Sequence, residues 1–235
     1  MSRLTEKHIQ QKSILFLETH YQNKYEPASI YSQQEVRTVN KYKKKRADGF
    51  LCFHSSIRQE HTISIEAKSH KTLGALLPMW NDKDFIFALV TGILLALILG
   101  YIYSDLEWYW MTLIFISALI AGILISLVIT LLFEPDHFKS MGVMNQVDQY
   151  PANEKWVAIS KDSLNLSSIK KTAFNRRNNY DNFLRIAKKK GVGILVISRK
   201  REEILIEPAF RKGDYLNCYC VADKIRQNIN NPVIL

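Results

Sequence analysis

Thr62-Ile-Ser-Ile-Glu-Ala-Lys-Ser69 alternates residue by residue, with Ile63, Ile65 and Ala67 in one phase and Ser64, Glu66 and Lys68 in the other. Side chains on a β-strand alternate between faces. The segment therefore predicts a strand with one apolar face and one face that sets a carboxylate beside an ammonium. Upstream, Asp48-Gly-Phe-Leu-Cys-Phe53 reads as a second apolar strand that begins at an acidic residue. A polar turn around Arg58-Gln-Glu60 joins the two. Downstream the polar sequence stops. Phe85–Tyr103 and Met111–Phe133 contain no ionisable side chain other than tyrosine, and polar sequence resumes near residue 137.

At about 1.5 Å per residue the two apolar stretches span roughly 29 Å and 34 Å as helices, against a bilayer core of about 30 Å. They predict a transmembrane hairpin, because a chain this short cannot bury two such helices in a soluble core. The connecting loop carries Asp105 and Glu107 but no Lys or Arg, whereas Lys68, Lys71, Lys83 and Lys139 stand on the outer flanks. The positive-inside rule then places both termini and all the polar sequence on the cytoplasmic side, giving a two-pass membrane protein. Tyr101, Tyr103, Trp108, Tyr109 and Trp110 supply an outer aromatic belt, and Trp80 marks the inner interface. Spans without charge argue against an ion path. Ala88 with Gly92, and Ala118 with Gly122, have the spacing of close helix contacts, within the hairpin or with another copy in a homo-oligomer.

Elsewhere, residues 5–22 predict a helix capped by Thr5 and including Glu18, and 28–38 a strand. After the hairpin, 137–150 predicts a helix, 155–160 a strand, 181–190 a helix stopped at Gly191, and 193–198 a buried strand. A further strand over 203–207 and a final helix over 214–227 complete the chain. This succession implies an α/β fold with at least one parallel strand connection. The expected organisation is one polar domain in two pieces, residues 1–80 and 137–235, interrupted by the hairpin at 81–136.

Of the 235 residues, 32 are Lys or Arg and 22 Asp or Glu, a formal net charge of +10 that falls on the polar parts and favours anionic partners. Three cysteines and scattered histidines form neither a disulfide framework nor a zinc site. The opening Met1-Ser-Arg-Leu-Thr-Glu has no apolar core before a small-residue cleavage site, so no signal peptide is expected. Basic runs occur at Lys43-Lys44-Lys45-Arg46, Arg176-Arg177, Lys188–Lys190, Arg199-Lys200-Arg201 and Arg211-Lys212. They suit a nucleic-acid backbone, a solvated face or anionic lipid, and Lys43–Arg46 adjoins the acidic strands.

The order of helix and strands, with Arg-Ala-Asp48-Gly-Phe on one strand and Ile-Glu66-Ala-Lys68 on the next, resembles the PD-(D/E)XK nuclease superfamily. Gln146-Val-Asp-Gln-Tyr150 has the Q-x-x-x-Y form of its RecB-like members, and Glu18 matches the acidic residue on that fold's first helix. Ala47 stands where the motif often has proline, and the hairpin is an unusual insertion, although a surface connection tolerates length at little entropic cost. The resemblance implies a restriction-endonuclease-like mixed sheet flanked by helices. It also implies Mg²⁺ (or Mn²⁺) held by Asp48, Glu66 and the Ala67 carbonyl, with Lys68 and Glu18 completing the catalytic set.

The chemistry agrees with those residue types. A hard cation that keeps several waters needs only one or two carboxylates, and an ammonium aligned with them can orient water or offset charge developing on phosphate. The expected function is a membrane-anchored nuclease acting on DNA, and the tether fits defence against foreign DNA. The alternative is a non-catalytic membrane scaffold or sensor whose nuclease-like domain binds nucleic acid or a protein partner.

Overall fold

The computed structural model describes residues 4–39, 41, 44–55, 60–69, 71–72, 78–80, 82–133, 139–164 and 179–230. The first helix, α1 (Glu6–Tyr25), starts where expected, with Thr5 Oγ1 accepting from the His8 amide at 3.4 Å. It runs three residues past the expected end, to Tyr25, and is capped by Glu26, whose left-handed backbone (φ 47°) lets its N–H close on the Gln22 carbonyl.

Three antiparallel-linked strands follow, β1 (Ile30–Arg37), β2 (Arg46–His54) and β3 (Glu60–Lys68). After the hairpin come β6 (Glu154–Ser160), β7 (Gly193–Ile197) and β8 (Glu202–Ile206). All six form one mixed sheet in the order β1-β2-β3-β6-β7-β8, parallel across β3/β6 and β6/β7 and antiparallel elsewhere. The sheet thus combines strands from both sides of the interruption, and a compact unit contains Met1–Leu77, Met141–Lys171 and Asn178–Leu235.

Both faces of this α/β sheet are covered. On one, α1 lays Ile9, Ile14, Leu17 and Tyr21 on Leu51, Phe53, Ile63, Ile65, Trp156 and Leu195. On the other, α4 (Gly142–Asp148) and α6 (Asn179–Lys190) pack on Val157, Ile159 and Ile194, and α7 (Ala222–Asn230) covers Phe50 and Cys52. A single helical turn, α5 (Lys161–Leu164), follows β6. Because β3 is central, its polar phase is buried along with its apolar one. Burial on both faces is what a parallel-containing sheet demands.

Two elements differ from the sequence expectation. The helix expected over 137–150 is the strand β5 (Lys139–Met141) followed by the shorter α4, because β5 pairs with β4 (Pro78–Trp80). The final helix expected from Asp214 is delayed to Ala222. Before it, Tyr219 bridges Thr38, the Val39 amide bonds the Cys218 carbonyl and the Cys220 amide bonds the Arg37 carbonyl. Pairing to the end of β1 takes the backbone groups that a helix there would use.

A second compact unit is built around Pro78–Ser140. Its helices α2 (Asp82–Ile102) and α3 (Trp108–Phe133) pair closely, with Ala88, Ala96, Ala118 and Ser126 buried. Gly92 meets Gly122 so tightly that a Cβ on Gly122 would stand 2.6 Å from the Gly92 Cα. The outward positions, among them Ile86, Leu94, Leu97, Ile98, Leu113, Ile116, Ile120 and Leu124, are exposed and apolar. Thr91, Thr112 and Ser117 return their hydroxyls to carbonyls of their own helix. Among the described residues one helix, Trp108–Ser126, is long and apolar enough to cross a membrane, and Ile86–Ile102 is a shorter apolar helix. We expect Gly122→Val to separate the two helices at a cost of about 1–3 kcal/mol. Lowered thermal stability of the full chain in detergent checks this, and an unchanged melting temperature would count against it.

Candidate active site

The β2/β3 ladder pairs Gly49 with Ile65, so the next step along it sets Asp48 opposite Glu66. Asp48 Oδ2 accepts from the Ala67 amide at 2.8 Å, which ties the carboxylate to the neighbouring strand. Two residues along β3 from Glu66, the Lys68 ammonium donates to Glu66 Oε1 at 2.6 Å. Glu66 is 4% and Lys68 5% exposed, so this is a buried pair and not a solvated one. The other carboxylate oxygen, Oε2, is buried with no hydrogen bond of ordinary geometry among the described residues.

Three further side chains act on this pair. Tyr150, just past α4 and almost fully buried, brings its hydroxyl to the Glu66 carboxyl. Gln10, on α1, lies near enough to Asp48 to pull its pKa down. Glu6, one turn earlier, interacts electrostatically with both Lys68 and Asp48 and meets Thr72 Oγ1 at 3.5 Å. Glu6 and Gln10 were not anticipated from sequence. Their i, i+4 spacing, which places both on one face of the helix, was the available signal.

Glu18 is the corresponding correction. It lies three turns further along α1, in a shallow pocket with Gln11, Ile14, Leu15, Ser32, Gln33 and Gln34, and the structure does not bring it to Asp48 and Glu66. Twelve residues of helix separate the two glutamates by about 18 Å, so only one end of α1 can reach the strand pair. Gln146 stands one turn before Tyr150 with its Oε1 buried and without a hydrogen-bond partner among the described residues. Ala67 meets Asp48 through its amide. Of the basic run, Lys43 lies outside the described residues, as do Arg176 and Arg177, while Lys44, Lys45 and Arg46 are exposed. Arg46 pairs with Glu35 at 3.3 Å and lowers the pKa of Asp48.

Burial, and then the Asp48 charge, pushes the Glu66 carboxyl up to about 7, against the pull of Lys68. Burial also raises Asp48, with the Ala67 amide pulling the other way, and it raises Glu6. Two facing carboxyls titrate as a pair, and the second proton is the hard one to remove. Because the folded pKa of Glu66 exceeds its ordinary value of 4.5, the folded protein holds that proton more tightly than the unfolded chain. The resulting stability is full below about pH 4.5 and is lost as pH rises through about 7, a fall on the order of 3 kcal/mol. Glu66→Gln should flatten this slope in metal-free protein. Thermal unfolding in EDTA between pH 5 and 8 measures it, and parallel curves for the two proteins would contradict the assignment.

Among the described residues, no group of three or more His, Cys, Asp or Glu side chains gathers as a metal cluster. The donor set, two facing carboxylates with one buried oxygen unpartnered, suits a cation that keeps most of its water and does not suit a closed protein cage. No protein-family model, no curated protein and no solved structure matches this chain.

Proposed function

We propose that this chain is a membrane-anchored, Mg²⁺-dependent nuclease of the PD-(D/E)XK type that hydrolyses phosphodiester bonds of DNA at the cytoplasmic membrane face. One observation carries the reading. A carboxylate on one strand faces a carboxylate on the next, and a lysine two residues along is bonded to the second, all on a mixed sheet backed by a helix. Bound Mg²⁺ supplies charge neutralisation and an activated water. Asp48 and Glu66 are the residues that would hold it, with the Ala67 carbonyl available on the same strand. Lys68 then changes role: released from Glu66, its ammonium orients the attacking water or offsets charge developing on the phosphate. Tyr150 and Gln10 each favour the ionised form of their carboxylate, Tyr150 at Glu66 and Gln10 at Asp48, against the burial that raises both.

The exposed apolar surface of α2 and α3 supports insertion as a two-pass hairpin, with the flanking lysines setting its orientation. Tethering suits defence against incoming DNA. A second reading has its own support: the closed Glu66–Lys68 pair already neutralises the carboxylate, as a scaffold that binds nucleic acid or a protein without cutting would need.

The test uses purified full chain in detergent micelles on DNA and RNA, with Mg²⁺ or EDTA, beside Lys68→Met. Cleavage that needs Mg²⁺ and Lys68 supports the nuclease. Absence of cleavage together with no calorimetric Mg²⁺ binding at millimolar concentration supports the scaffold.

A further inference from the structure

On the same face of the sheet as Glu66, the neighbouring strand β6 carries Lys155, in register with Ser64. Strand spacing puts the Lys155 and Glu66 Cα atoms about 8 Å apart, one strand over and two residues along. Lys155 is 5% exposed, yet among the described residues its ammonium has only long contacts, 3.5 Å to the Asp148 carbonyl and 3.7 Å to Asp148 Oδ1. The other carboxylate oxygen, Oδ2, is taken by Lys190 at 2.5 Å. Arg211 completes the cluster: its Nη2 donates to the Lys190 carbonyl at 2.7 Å, and its amide bonds the Asn153 carbonyl at 2.8 Å.

Two cations, Lys155 and Lys190, therefore share one carboxylate, and Arg211 acts on Lys155 from beside them. A buried ammonium without a close anion is costly, and a second and third cation beside it add to the cost. Burial, and then Arg211, holds Lys155 down at about 8, with Lys190 acting in the same direction and Asp148 opposing. Arg211 also caps the carbonyl end of α6 and so removes the local negative charge that would repel an anion. Between this cluster and Glu66, the buried Ser64 hydroxyl has no hydrogen-bond partner among the described residues.

We infer that Lys155, Lys190 and Arg211 form a phosphate-binding subsite that holds the substrate strand one phosphodiester away from the Asp48–Glu66 pair. The role assigned to that phosphate rests on the nuclease reading, whereas the anion site itself does not. An incoming phosphate supplies a closer, charge-assisted acceptor for Lys155, and Asp148 is its competitor for Lys155 and Lys190.

The experiment follows the anisotropy of a fluorescein-labelled 12-nucleotide DNA single strand with full chain in detergent micelles. EDTA is present, so that cutting plays no part. Lys155→Met and Arg211→Gln should each weaken binding about 10-fold or more and make the salt slope shallower by roughly 0.7. Asp148→Asn should tighten binding several-fold. Wild-type affinity in both cation variants would overturn the subsite, as would Asp148→Asn lowering the melting temperature without changing affinity. Cleavage lost in Glu66→Gln but binding indifferent to Lys155 and Arg211 removes the subsite alone. Binding that depends on Lys155 in a protein that never cuts removes the nuclease reading alone.

Discussion

Glu66→Gln is expected to lower Mg²⁺-dependent cleavage by about 10³-fold or more, equivalent to roughly 4 kcal/mol of barrier. The substitution keeps size and hydrogen bonding but removes the charge that a hard cation requires. It also removes the charge that helps hold Lys68 at 2.6 Å, so the ammonium's placement weakens along with the metal site. Asp48→Asn should fall in the same range, because its carboxylate faces Glu66 and is fixed by the Ala67 amide. Glu6→Gln should cost less, on the order of 10-fold, since it acts on the site through charge from the helix end. Glu18→Gln should change the rate less than about 2-fold, as expected of a surface substitution remote from the chemistry. Single-turnover rates on linear DNA rank the four. If Glu18→Gln is as damaging as Glu66→Gln, the geometric assignment of α1 is wrong.

The largest expected loss of stability lies elsewhere in the same unit. Glu154 is 3% exposed, and Tyr21 donates its hydroxyl hydrogen to Glu154 Oε2. Trp156 Nε1 donates to the Tyr21 oxygen at 2.8 Å. His61 Nε2 stands 3.2 Å from Glu154 Oε1, although not in hydrogen-bond alignment, and its ring lies 4.7 Å from that of Phe53. Removing the carboxylate leaves the Tyr21 phenol without its acceptor and takes the charge away from beside the His61 ring, inside an aromatic core. Glu154→Ala should therefore cost about 3–5 kcal/mol, lowering the melting temperature by roughly 10 °C or more. Glu154→Gln keeps an acceptor for Tyr21 and should cost less than half as much, about 1–2 kcal/mol. Equal losses in the two variants would show that the negative charge is what matters here, and not the volume or the acceptor that glutamine keeps.

The strand that carries Glu66 and Lys68 was legible because alternation is a local property, and so was Asp48 at the head of its neighbour. The α/β class followed from the order of elements, and spacing marked Gly92 and Gly122 for close helix contact without choosing between the hairpin and another copy. What sequence did not show was set by tertiary pairing. The residues before Ala222 have a helical pattern, but the end of β1 binds their backbone. Glu6 sits where a first-turn acid ordinarily serves the helix dipole, so nothing local marked it as a site residue. Glu18 is the residue that matches the acid on the first helix of the resembled fold, and only the packing of α1 across the sheet shows which end of the helix reaches Asp48. Lys155 lies in a run of strand residues whose burial depends on elements about 35 and 55 residues later, Lys190 and Arg211 among them.

The pairing of β4 with β5 has a consequence for the order in which the chain folds. Ile63 and Glu154 are neighbours in the β3–β6 ladder but about 90 residues apart in sequence, a long loop for an unfolded chain to close. Once the hairpin is formed and Pro78–Trp80 is clasped to Lys139–Met141, that loop shrinks to roughly 30 residues. Closing it then costs about 1 kcal/mol less entropy. The interruption, which lengthens the chain between the two halves of the sheet, thus becomes a shortcut for their meeting, and a hairpin assembled first favours the later strands finding the earlier ones.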